Sequence, residues 1–293
     1  MPIDPEIKET LERISKRLDE PQNATAQSDA LAWGIIALET AGEDSEKLDA
    51  LRRRLVEFQM GDGRFTLLRG AFEVFWPTPA VLIALANSSA FEENKSRGIE
   101  FLLRIKGKHW KKSPDAPAKH DTSIEGWPWV VATHSWVIPT AMAIIALRIY
   151  RYAGHERVRE GVRMLLDRQL PTGGWNYGNT VVFKSTLRPI PECTGFALSA
   201  LHGLADERLV EKSINYLSRE AATIRTPLSL SWAVMGLGAW SRGLAQRKEW
   251  IVETLGKQEM YGEFPVSLLA QLVVSYYSDS GPVALFQKDG GNG

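Results

Sequence analysis

Apolar and charged segments alternate along this chain at helical spacing. Six segments, residues 29–38, 78–85, 139–147, 192–201, 227–237 and 265–274, are rich in Ala and Leu and apolar on nearly every face. A helix without a polar face has to be buried on all sides. Three of these segments open on a proline, and a fourth has one at its second residue, which suits a helix's first turn because the missing N–H had no partner there. Between them lie amphipathic, charged segments at residues 5–18, 45–59, 95–105, 156–170, 207–219 and 247–258. In the fourth of these, Val158, Val162, Leu165, Leu166 and Leu170 form one apolar stripe at spacings of three and four, backed by charge. Such helices face water.

Outer and inner types therefore alternate six times. That is the pattern of an all-α, α6/α6 toroid, a closed double ring of six helical hairpins around a central cavity. An open solenoid is the competing architecture, but its hairpins are amphipathic on both sides, whereas one set here is apolar throughout. Nothing resembles an interdomain linker, so residues 1–293 read as one domain with a frayed tail from about 285 to 293. Two loops, 107–137 and 172–191, exceed what packing requires, and loops of that length in a compact ring are where function concentrates.

After three of the outer helices the same turn recurs: Gln, then Gly four residues later and an aromatic ring six residues later. Gln59, Gly63 and Phe65 form one copy, Gln169, Gly173 and Trp175 a second, Gln258, Gly262 and Phe264 a third; residues 104–110 carry a degenerate form. Glycine permits the reversal, glutamine can reach helix-end backbone groups, and the ring covers the junction. This turn resembles the repeat of squalene and hopene cyclases, shared in weaker form by protein prenyltransferase β-subunits, over nearly the whole chain. The resemblance implies the toroid fold, an apolar cavity inside the inner helices, and a structural role for the turn residues. Squalene cyclases contain two such toroids, and this chain has length for one.

The same family protonates its substrate with an aspartate in an Asp-x-Asp-Asp-Thr string, and no such string is present. Placing that threonine on Thr194 gives Ile190-Pro191-Glu192-Cys193-Thr194, with Glu192 at the acid's position and its acidic neighbours replaced. Glu192 is the candidate catalytic residue; a helix-capping carboxylate is its structural alternative. Prenyltransferases hold zinc with Asp, Cys and His. Cys193 stands at an inner-helix start as that cysteine does, but His202 is nine residues further along the same helix, about 13 Å at the helical rise, too far to share a metal. No metal is expected, and Cys193 reads as a small packed residue.

A second cluster lies ahead of the third inner helix. Asp121, Glu125, Trp127 and Trp129 come together there, followed by His134 and Trp136 at the helix entrance. Indole faces can line an isoprenoid pocket or stabilise a developing carbocation, and Trp33, Trp76 and Trp232, in or beside inner helices, can extend such a wall. Filling the ring's centre is the plainer use for the same rings.

Composition narrows the partners. Lys plus Arg and Asp plus Glu both number 35, which removes the electrostatic case for nucleic acid or an anionic membrane as obligatory partner. The basic runs at Arg52, Arg53 and Arg54, and at Lys106, Lys108, Lys111 and Lys112, read as solvated faces. A single cysteine excludes an intrachain disulfide framework. Residues 1–19 lack the apolar core of a secretory leader, and no apolar run reaches about 18 residues, so a cytoplasmic protein without a membrane span is expected. No phosphate loop, Asp-Asp-x-x-Asp string, nucleophile elbow or thioester motif is present, and no cofactor is expected. Two functions remain open: a terpene cyclase- or prenyltransferase-like toroid holding an isoprenoid or other apolar ligand, or a non-catalytic toroid binding a protein or peptide as a scaffold or subunit, in a homo- or hetero-oligomer.

Overall fold

The computed structural model describes residues 3–20, 27–70, 74–111, 119–182 and 184–287. The outer layer is α1 (Pro5–Asp19), α3 (Ser45–Val56), α5 (Glu92–Arg104), α7 (Glu156–Asp167), α9 (Glu207–Ala221) and α11 (Arg247–Gly256). The inner layer is α2 (Ser28–Thr40), α4 (Thr78–Leu85), α6 (Val137–Ile149), α8 (Pro191–Leu201), α10 (Pro227–Ala239) and α13 (Val266–Tyr277). Each inner helix packs on the next, and α13 packs back on α2, so the ring is closed. The chain has the all-α toroid architecture its pattern calls for.

Side-chain caps occur in the outer layer only, and there on some helices. Asp4, Asp44 and Asp206 cap α1, α3 and α9 by accepting from main-chain N–H groups of the first turn. None of the inner helices has a side-chain cap. Their partial positive ends collect at one mouth of the ring.

The recurring turn stitches neighbouring hairpins together. Gln59 Nε2 donates to the carbonyl of Asn94 on α5 (2.9 Å), Gln169 Nε2 to Ser213 Oγ on α9 (2.7 Å), and Gln258 Oε1 accepts from Arg13 on α1 (3.1 Å). Gly63 sits at φ 97°, and a Cβ there would lie 2.2 Å from the Arg97 carbonyl oxygen. The aromatic residue's main-chain N–H is taken by a threonine of the next inner helix: Phe65 by Thr78 (2.9 Å) and Trp175 by Thr194 (3.0 Å). Trp127 makes the same bond to Thr140 (2.9 Å). It is therefore Trp127, after an insertion, that completes the degenerate turn following α5, and not a residue of 104–110; Trp110 is exposed.

Midway along the inner helices a Cβ on Gly195 would meet the Trp232 carbonyl oxygen at 2.1 Å, and one on Gly236 the Gly195 carbonyl oxygen at 2.7 Å, so α8 and α10 touch backbone to backbone. The end of the ring away from the mouth is covered. A short helix, α14 (Gly281–Phe286), packs against α6, α8 and α10, with Phe286 buried. Residues 285 and 286 of the expected tail thus belong to α14, and 288–293 lie outside the described residues. Two further short elements are α12 (Gln258–Tyr261) and a hairpin of β1 (Val181–Val182) with β2 (Ser185–Thr186) in the second long loop.

Of the first basic run, Arg53 is exposed, but its two neighbours are turned inward. Arg52 is 2% exposed; its guanidinium donates to the Ala84 carbonyl (2.8 Å) and pairs with Glu39 (2.8 Å) and Asp49 (3.0 Å), tying the ends of α2 and α4 to α3. Arg54 donates to the Leu18 carbonyl at the end of α1 (2.8 Å). Long basic side chains serve here as caps for helix C-termini. No helix among the described residues is long and apolar enough to cross a membrane.

Candidate functional site

Inside the ring is a cavity of about 340 Å³, at the lower end of the range for small-molecule sites. Every inner helix contributes to its wall from within the first two turns: Asp29 and Trp33 from α2, Ala80 from α4, Ile138, Pro139 and Met142 from α6, Phe196 from α8, Leu228 from α10 and Gln271 from α13. The cavity thus occupies the mouth half of the ring. Two indoles lean over it from the loops, Trp76 and Trp129, edge to face at 6.0 Å.

Trp232 is fully buried behind the wall. Its ring stacks on Phe196 at 3.5 Å, meets Trp33 edge-on at 6.0 Å, and donates from Nε1 to Gln271 Oε1 (2.7 Å). It fixes three lining residues without lining the cavity itself. Trp127 is likewise a fold residue: its Nε1 donates to the Leu102 carbonyl (2.9 Å) and Arg157 lies over its ring at 4.2 Å.

Among the described residues, the one acid in the cavity wall is Asp29. Its Oδ1 is buried and meets no hydrogen-bond donor. Desolvation pushes the carboxyl above the ordinary carboxylate range, against the opposing pull of the main-chain N–H groups of Asp29 and Ala30. Glu192 occupies the same position in its helix, second residue of α8 as Asp29 is of α2. Yet Glu192 stands outside the cavity lining, and its Oε2 accepts from Ser229 Oγ at 2.7 Å. Cys193 is buried, and its thiol is pushed up, first by desolvation and then by the Glu192 charge. No cluster of three metal-ligating side chains exists among the described residues.

Above the cavity the mouth widens into an open trough of about 630 Å³, walled by Trp110, Trp129, His134, Trp136 and Tyr177 with Lys108 at its edge. Trp129 belongs to both spaces. His134 lies against Trp136 at 4.1 Å between ring centroids. Asp121 and Glu125 point elsewhere: Asp121 Oδ1 accepts from Ser123 N and Oγ (2.9 and 2.7 Å), and Glu125 pairs with Lys106 (2.7 Å) and Arg157 (3.6 Å). The structure therefore gathers Trp76, Trp129, His134 and Trp136 around the mouth and separates Asp121, Glu125, Trp127, Trp232 and Glu192 from the cavity wall. Sequence reasoning overlooked Asp29, Met142, Phe196 and Gln271. The available signal for Asp29 was an acid inside the first turn of a helix otherwise apolar all round.

No protein-family model matches the chain. A segment of 83 residues, 28% of the chain, is 30% identical to lanosterol synthase from Candida albicans, and it spans 10% of that protein. Among solved structures, the type II terpene cyclase MstE from Scytonema superposes with a TM-score of 0.63 at 12% identity, covering 95% of this chain and 99% of that one. A protein from Actinoplanes gives 0.58 at 15% identity over 93% and 99%. An MstE variant solved with the substrate geranylgeranyl dihydroxybenzoate gives 0.60 at 11% identity over 94% and 97%. The chain has the fold of the terpene cyclase toroids, in one ring; at such identities the likeness speaks for the fold.

Proposed function

We propose that the central cavity binds an isoprenoid chain and that Asp29 delivers a proton to it, making the protein a terpene cyclase-like isomerase. One observation carries this reading: an apolar, aromatic-walled space inside the ring holds, among the described residues, a single carboxyl, whose burial favours the protonated form. Protonating a trisubstituted alkene needs an acid that keeps its proton until substrate arrives and a conjugate base that is then stabilised. Desolvation works toward the first condition and the N–H groups at the start of α2 toward the second. The new C–H bond leaves a tertiary carbocation facing Trp33, Trp76, Trp129 and Phe196, where each aromatic face contributes about 0.5–2 kcal/mol. Attack by a second alkene closes a ring, and loss of one proton from a neighbouring carbon restores a neutral isomer of the substrate.

The space also limits size. At about 30 Å³ per water-sized group, 340 Å³ holds about eleven non-hydrogen atoms, or about two isoprene units. An open cavity also favours a ligand over a purely structural ring that holds a peptide across its mouth. The test is incubation of the protein in deuterium oxide with geraniol, farnesol and geranylgeraniol. The expected product is an isomer carrying one new C–D bond, absent with Asp29→Asn and retained with Glu192→Gln. Neither binding nor product across the panel, or full activity in Asp29→Asn, would overturn the proposal.

A further inference from the structure

A third, smaller space opens beside the trough and differs from it in chemistry. It measures about 130 Å³ and shares Trp110 and His134 with the trough, which in turn shares Trp129 with the central cavity. Its remaining wall is polar: His109, His120, Thr122, Ser135, Arg168 and Asn179, with no acid among them. Building from apolar cavity to aromatic trough to polar pocket gives the outline of an amphiphile.

We infer that the pocket between His134, Arg168 and Asn179 is a head-group subsite for a single oxyanion, a carboxylate or a phosphate monoester, borne on the apolar chain that fills the central cavity. This rests on the proposed isoprenoid reading and adds the polar end of the ligand. Three observations support it. The first is donors without partners: neither ring nitrogen of His134 nor the side-chain amide of Asn179 has a hydrogen-bond partner among the described residues, while Asn179 uses only its main-chain oxygen, accepting from Asn176. Both side chains line the pocket.

The second is a buried cation. Arg168 is 4% exposed, donates from Nη1 to the Gly178 carbonyl (3.0 Å) and from Nη2 to the Asp121 carbonyl (3.2 Å), and has Asp167 at 3.3 Å from Nε. Guanidinium carries five N–H groups, so donors remain after those contacts. Burial, together with the Arg168 and His109 charges, depresses protonation of His134, which leaves a neutral ring with one N–H to give. Asp167 offsets part of the Arg168 charge, so selectivity comes from directed donors more than from net charge. His109 is already engaged, its Nε2 lying 3.3 Å from Ser135 Oγ.

The third is size. At about 30 Å³ per water-sized group the pocket accepts about four non-hydrogen atoms, enough for one carboxylate or phosphate and too few for a diphosphate.

The test is calorimetric titration of the protein with farnesol, farnesoic acid, farnesyl monophosphate and farnesyl diphosphate. The acid or the monophosphate should bind about tenfold more tightly than farnesol, and the tighter of the two identifies the head group. In His134→Ala and Asn179→Ala the ratio of farnesol Kd to the charged probe's Kd should fall toward one. Equal affinity for farnesol and both charged probes, an unchanged ratio in both variants, or a diphosphate that binds tighter than the monophosphate would overturn the inference. Farnesol binding without head-group preference leaves the central-cavity reading standing and this one fallen; no binding by any probe removes both.

Discussion

The two ends of the inner ring are made from the same six helices and solve opposite problems. At the closed end Arg52 ties α2 and α4 to α3 and α14 covers the gap, beyond the mid-helix contact at which the Gly195 and Gly236 backbones touch. At the mouth the same helices spread around about 340 Å³ of open space, their first turns lack side-chain caps, and an aspartate oxygen is buried without a donor. The closed end holds the stability that the mouth spends on function. Substitutions should therefore cost folding energy at one end and ligand handling at the other.

The largest effect is expected at the helix contact. Gly195→Ala places a Cβ against a carbonyl oxygen that the α10 backbone cannot withdraw, and denaturant unfolding should show a loss of about 3 kcal/mol or more. A loss below about 1 kcal/mol would mean that α8 and α10 are not held at this distance. Next comes Arg52→Met, which strands Glu39 and leaves the Ala84 carbonyl without its donor. Because Asp49 and Glu39 are partly exposed, the expected loss is about 2 kcal/mol by the same measurement.

At the turn between α7 and α8, Thr194→Val leaves the buried Trp175 N–H unpaired, which should lower stability by about 1.5 kcal/mol, with Thr194→Ser restoring most of it. The smallest effect on folding, and opposite in sign, is expected at the mouth. The Asp29 carboxyl titrates higher in the folded chain than its ordinary 3.8, so the folded state binds the proton more tightly. Its contribution to stability falls as pH rises above 3.8 and reaches its least favourable value once the folded carboxyl has ionised. Asp29→Asn removes that slope. Its Tm should equal or exceed that of the unaltered protein near neutral pH, with the difference shrinking toward acid. A variant less stable at neutral pH would show that the carboxylate is held by partners rather than resisted by burial.

How much of this was legible beforehand follows the same division. Inner helices expected to begin near residues 29, 78, 139, 192, 227 and 265 begin at Ser28, Thr78, Val137, Pro191, Pro227 and Val266. A helix apolar all round admits few arrangements, so fold follows from periodicity. The mouth depends on direction, which periodicity does not carry. Asp29 and Glu192 stand at equivalent positions of their helices, and only ring geometry separates the one that lines the cavity from the one bound to Ser229. Charge misleads for the same reason: a run of arginines reads as solvated, while the length of Arg52 lets it turn inward and cap a helix. Trp127 and Trp129 are two residues apart, and the Thr140 bond makes the first a turn residue while the second reaches the cavity.

The measurement that bears most directly on the mouth as a ligand site is photolabelling with a farnesoic acid analogue carrying a diazirine at the tail end, followed by mass-spectrometric mapping. Labels on Met142, Phe196 or Trp33, displaced by excess farnesoic acid, are the expected result. Labels confined to exposed residues such as Met260 and Tyr261 on the outer rim, or labelling that excess ligand does not displace, would contradict it.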